Sequence, residues 1–86
     1  MAKSRLHARI GTLRQLEILL AVHDHGSISG AAKSLYLTQP TVSMQMKKLA
    51  DAIGTPIYNI NNRQLIFTDA GLELLKTLDR LFILEF

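Results

Sequence analysis

The sequence predicts one small, mainly α-helical domain: helices arranged about a helix-turn-helix, then a two-stranded hairpin and a last amphipathic helix. Three observations lead there. Apolar residues recur at helical spacing in four segments. A connection of only about two residues joins the second and third of these, which is helix-turn-helix spacing. Between the third and fourth, two short runs rich in branched and aromatic residues flank an Asn-Asn pair. Eighty-six residues leave room for one domain, and an apolar share of 48% excludes a disordered tail.

The first helix is expected to begin at Thr12. Thr12 and Gln15 have capping-box spacing, and Leu13, Leu16 and Leu20 fall on one stripe with Leu19 beside it. Gly26, after His23-Asp24-His25, is a natural stop. The second helix, Ser27 to Tyr36, has Ser27 as cap and Ile28, Ala31, Ala32 and Leu35 as buried face. The two alanines allow another helix to approach closely. The third helix, Thr38 to Ile53, is capped by Thr38 and carries Pro40 in its first turn, where a missing N–H does no harm. Val42, Met46, Leu49 and Ile53 form its inward side, and Gly54 and Pro56 end it.

Ile57-Tyr58-Asn59-Ile60 and Leu65-Ile66-Phe67 read as strands, turning at Asn61-Asn62, which tolerate left-handed backbone. The last helix starts after Thr68, with Asp69 at its positive end. Leu74, Leu75, Leu78, Leu81 and Phe82 make an apolar arc, opposed by Glu73, Lys76, Thr77 and Arg80. Nothing else in the chain is an evident partner for that arc.

Charge placement says more than the formal net charge of +3. From His25 to Ala50 there is no acid, only Lys33, Lys47 and Lys48; from Ala52 to Thr68 there is only Arg63. Lys3, Arg5, Arg9 and Arg14 stand in an acid-free N-terminus. A polyanion such as nucleic acid suits this pattern, and so does a solvated basic face. The outward side of the third helix separates the two readings. Gln39 stands at its entrance, and Pro40, Thr41, Ser43, Met44, Lys47 and Lys48 follow without an acid. Gln can pair with an adenine edge, Pro and Met can touch a thymine methyl, Ser and Thr can reach bases or phosphates, and Lys neutralises phosphate.

These residues extend into a longer pattern. Leu13-Arg14-Gln15-Leu16, Gly26-Ser27-Ile28, Ala31-Ala32, Leu35, Thr38 through Met46, Leu49, Gly54, Pro56-Ile57-Tyr58 and Thr68-Asp69-Ala70-Gly71 together resemble the N-terminal signature of LysR-type regulators. The likeness runs from Leu13 to about Leu75, over many fixed spacings. It implies a winged helix-turn-helix with the third helix in the major groove and the hairpin as wing, for a sequence-specific regulator of transcription that binds double-stranded DNA. The family's reading residues fall on Gln39, Pro40, Ser43 and Met44, with Thr41 and Lys47 near phosphates and Arg63 reaching from the wing. The last helix is implied to be a linker that pairs with a second copy, making a homodimer. The expected division is a flexible basic arm over 1–11, the winged domain over 12–68 and the linker helix over 69–86. The family's larger ligand-sensing domain is absent from these residues. Thr12 to Leu20 and Leu37 to Lys48 look most similar to regulators of autotrophic CO2-fixation operons. The chain departs from the pattern at Ile60, where a basic residue is usual, at Asn62, often Gly, at Ala50, often Glu, and at Met44, often polar or basic.

Other chemistry has little support in the sequence. His23 and His25, two apart at a helix end, do not share a face, and no third metal ligand is near in sequence. Ser27 and Ser29 are better explained as cap and turn residues than as nucleophiles. There is no catalytic constellation and no cofactor motif, so an enzyme is not expected. The absence of cysteine rules out disulfides. The longest obvious apolar run, Ile18 to Val22, is far short of the ~20 residues that span a bilayer, and no secretory signal is read, so the expected location is cytoplasmic. Tyr36 and Tyr58 are expected to pack with their hydroxyls wet. A winged helix that binds protein instead of DNA stays open as the rival.

Overall fold

The computed structural model describes residues 2–83, with side chains for residues 13–80. In chain order it has α1 (Ala2–His25), α2 (Ile28–Leu35), α3 (Gln39–Ile53), β1 (Tyr58–Asn61), β2 (Gln64–Phe67) and α4 (Asp69–Ile83). This is the winged helix-turn-helix, with α2 and α3 packed on α1 and the antiparallel β1–β2 ribbon as the wing.

α1 corrects the expected start at Thr12, which lies within the helix. Nothing before it stops a helix: the segment has no Pro and is built mostly of Ala, Lys, Arg and Leu, and Gly11 alone disfavours helix by only about 1 kcal/mol. The backbone expected as a basic arm is therefore helical from Ala2; Met1 and the side chains of 2–12 lie outside the described residues. The buried stripe also differs. Ile18, Leu19 and Val22 are buried, Leu16 and Leu20 flank them, and Leu13 is exposed. Residues 18–22 are apolar all round, so spacing alone could not say which side faces inward.

α2 meets this stripe through buried Ala31 and Ala32. Its start is capped by Ser27, whose Oγ accepts from the Gly30 N–H at 2.9 Å. α3 buries Val42, Met46 and Leu49. The fourth residue expected on that seam, Ile53, is exposed; it occupies the last turn, beside Gly54, which takes the left-handed backbone (φ 92°) that ends the helix.

In the wing, Tyr58 pairs with Phe67 and Asn61 with Gln64. The turn therefore sits on Asn62-Arg63, one residue later than expected, and both residues have positive φ (51° and 64°), as a two-residue type I′ hairpin requires. Ile57 is not a strand residue but a core residue, 1% exposed. Burying it fixes where the ribbon starts, and so where it turns.

Thr68 joins the wing to α4. Its N–H donates to the Ile57 carbonyl (3.1 Å), and its hydroxyl donates to the Pro56 carbonyl (2.7 Å) while accepting from the Gly71 N–H (3.1 Å). Gly71 lies so close under Ile57 that a methyl group there would strike the Ile57 carbonyl.

Candidate nucleic-acid interface

The outward side of α3 is set by what its inward side must bury. With Val42, Met46 and Leu49 in the core, helical geometry turns Gln39, Pro40, Ser43, Met44, Lys47 and Lys48 outward, and all six are exposed. Thr41 sits at the edge, half-buried. Its N–H donates to Thr38 Oγ1 (3.3 Å), and the two hydroxyls are hydrogen-bonded at 2.8 Å. Thr41 is thus part of the helix cap, and less of its hydroxyl is free for a ligand than the sequence suggested.

The electrostatics of this side are one-signed along most of the helix. Among the described residues, Lys33, Lys47, Lys48 and Arg63 take part in no ion pair; the pairs present are Arg14–Glu17, His23–Asp24 and Lys76–Glu73. Asp51, one turn beyond Lys47, is the only acid on α3. Four uncommitted cations on the helix-turn-helix and wing can each neutralise a phosphate without first leaving a partner.

The wing forms one wall of a concavity with α3. A groove of about 730 Å³ runs between them, and Ser43, Lys47, Tyr58, Asn59 and Ile60 contribute to its lining. Ser43 and Lys47 are therefore brought beside the wing, whereas Gln39, Pro40, Met44 and Lys48 are placed on the helix alone. Arg63 is exposed at the hairpin tip, outside that lining. Four of the seven acids, Asp24, Asp69, Glu73 and Asp79, line a different groove, between α1 and α4. Among the described residues no group of three His, Cys, Asp or Glu could hold a metal ion, and no helix is long and apolar enough to cross a membrane.

Two features escaped sequence reasoning. Gln15 Nε2 donates to Gln45 Oε1 at 3.3 Å, a part-buried link between α1 and α3. The residues are thirty apart, and only the fold brings them together. Tyr36, expected to pack, is 96% exposed. The left-handed turn that ends α2 directs it away from the core.

The α4 arc needs a correction. Leu75 and Leu78 are 8% and 3% exposed within the chain, so they belong to its own core and not to a free face. The arc does have a partner inside the molecule, because the latch at Thr68 and Gly71 lays α4 against the rest. Leu74 is half-buried and Leu72 is exposed; the side chains of Leu81 and Phe82 lie outside the described residues.

Residues 13–72 match the family model described as "Bacterial regulatory helix-turn-helix protein, lysR family". Among curated relatives, the chain is 50% identical over 60 residues to "HTH-type transcriptional activator CmpR" of a Synechocystis strain, covering 70% of this chain and 20% of that protein. It is 45% identical over 65 residues to a probable RuBisCO transcriptional regulator of Guillardia theta, covering 76% of this chain and 21% of that one. The chain thus spans about a fifth of the length of these relatives. Among solved structures, a LysR-family transcriptional regulator from Eggerthella lenta superposes with a TM-score of 0.72 at 34% identity, covering 76% of this chain and 93% of that one. The DNA-binding domain of CbnR in complex with DNA superposes with a TM-score of 0.75 at 32% identity, covering 84% and 83%.

Proposed function

Because the chain belongs to the LysR family of bacterial regulatory helix-turn-helix proteins, we propose that it binds double-stranded DNA sequence-specifically as the reading head of a transcription regulator. Two copies pair, and each lays α3 in the major groove of a half-site. Gln39, Pro40, Ser43 and Met44 read base edges. Thr41, Lys47 and Lys48 hold phosphates, and Arg63 reaches the backbone or minor groove from the wing.

The observation that carries this reading is the two-sidedness of α3: an inner seam sealed in the core, and an outer side of exposed polar, apolar and cationic groups with no acid before Asp51. The CbnR domain, of the same fold, is itself complexed with DNA. The name of the Guillardia theta relative carries the reading one step further, toward control of RuBisCO transcription. A cytoplasmic location follows from a chromosomal target, and no catalytic step is part of the proposal. Pairing of copies falls to the surface of α4 left over by the core, near Leu72 and Leu74.

Titrating Gln39→Ala and Lys47→Ala on specific and random duplexes tests the assignment. Gln39→Ala should narrow the gap between the two duplexes, one good base contact carrying about 1–3 kcal/mol of discrimination. Lys47→Ala should weaken both alike and flatten the salt dependence by about one phosphate contact. Sequence-blind loss from Gln39→Ala would remove it from base reading.

A further inference from the structure

Tyr36 occupies a position that folding alone would give to another residue. The chain leaves α2 through a Schellman turn: the Leu37 N–H donates to the Ala32 carbonyl at 2.9 Å and the Tyr36 N–H to the Lys33 carbonyl at 3.3 Å. That turn requires the residue after the helix to be left-handed, and Tyr36 has φ 58° and ψ 39°. Glycine adopts this backbone without strain and asparagine nearly so, whereas a Cβ with a ring attached does not. The strain is not offset by burial, since the side chain is 96% exposed. Nor does it make a hydrogen bond or ring contact among the described residues. A large aromatic group is thus held out into solvent at a backbone that disfavours it. Strain kept without any internal gain points to a role outside the molecule.

Its placement narrows that role. Tyr36 precedes Thr38, the cap of α3, by two residues, and Gln39, the first residue of the reading face, by three. Lys33, exposed and without an ion pair among the described residues, lies one turn before it. No acid occurs from Gly26 to Ala50. A phenol in an acid-free neighbourhood, three residues ahead of Gln39, is chemically suited to donate to a phosphodiester oxygen. We infer that the Tyr36 hydroxyl donates a hydrogen bond to a DNA phosphate flanking the major groove and fixes how the N-terminus of α3 enters it. This inference rests on the DNA-binding reading above. Tyr36 carries no charge and displaces no cation, so its contact is blind to base sequence and leaves the salt slope unchanged.

The test uses a random-sequence duplex at low salt, which suffices for a phosphate contact, with thermal unfolding measured in parallel. Tyr36→Asn should unfold at a higher temperature than the parent, because the strain is relieved, yet bind the duplex roughly tenfold more weakly, the order expected for one hydrogen bond to a charged acceptor. Tyr36→Phe should match the parent in stability and Tyr36→Asn in binding, since only the hydroxyl is gone. Parent-like binding by either variant overturns the inference, as does a loss confined to self-association, which would place Tyr36 against a second copy. Lys47→Ala separates the two levels. If it weakens binding while the Tyr36 variants do not, the DNA reading stands and this inference alone falls. If the unaltered chain binds no duplex, both fall.

Discussion

Arg63 combines two demands at one backbone position. A type I′ turn needs positive φ at both central residues; Asn62 meets that need at little strain, while Arg63 (φ 64°) strains by about 1 kcal/mol or more. A glycine would serve the turn better. Arg63→Gly should therefore leave thermal stability equal or raise it by up to ~1 kcal/mol, while lowering affinity for any duplex. Melting curves and binding isotherms on the same preparation check this. A variant that melts lower would show that the arginine side chain supports the wing itself. The outward residues of α3 were legible because a helix with a clear inner seam has a determined outer side. Tyr36 was not, because its exposure follows from a φ that residue type does not announce: tyrosine is a poor sign of left-handed backbone, as glycine at 26 and 54 is a good one.

At the scale of elements, three of the four expected caps were readable: Ser27, Thr38 and Thr68 each cap the helix they were expected to cap, whereas Thr12 lies inside α1. The wing was readable as a hairpin but not in its turn, since Asn61, Asn62 and Arg63 are three polar residues in a row and the pairing depends on Ile57 being drawn into the core. The junction of wing and α4 is the least tolerant joint. Gly71→Ala forces a methyl against the Ile57 carbonyl and should destabilise the domain by about 1–3 kcal/mol, although alanine is the better helix former. Denaturant unfolding would read the loss. A stabilised Gly71→Ala would mean that α4 and the wing root can move apart to admit a methyl group. Because wing and α3 share a groove, the same substitution should also weaken DNA binding through the wing's position.

Over the whole molecule, charge and core divide the labour. Of the cations without an ion pair among the described residues, Lys33, Lys47, Lys48 and Arg63 lie on the helix-turn-helix and wing and Arg80 on α4. Four of seven acids gather at the groove between α1 and α4, while Asp51 lines the one between α3 and the wing. If each copy makes about three or four phosphate contacts, affinity should fall steeply as salt rises, with a log–log slope of about −0.9 per contact. A flat titration between low and physiological salt would contradict an electrostatic face. Leu78 separates core from dimer. At 3% exposure it should destabilise the single chain by about 2–5 kcal/mol when cut to alanine, and do so even at concentrations too dilute for pairing. If Leu78→Ala changed only the dimerisation constant, the docking of α4 on its own chain would be wrong.

The sequence by itself determined the kind of element at each place from Thr12 on, the caps at Ser27, Thr38 and Thr68, the family and the outward side of α3, because these depend on local periodicity, single-residue chemistry and fixed spacing. Only the tertiary structure decided which side of an all-apolar helix faces inward, where the wing turns, and that Leu75 and Leu78 belong to this chain's own core. It also joined Gln15 to Gln45 and left Tyr36 in solvent. The physical reason is common to all of these: burial is a competition among distant groups for one interior, and no local pattern records which of them wins.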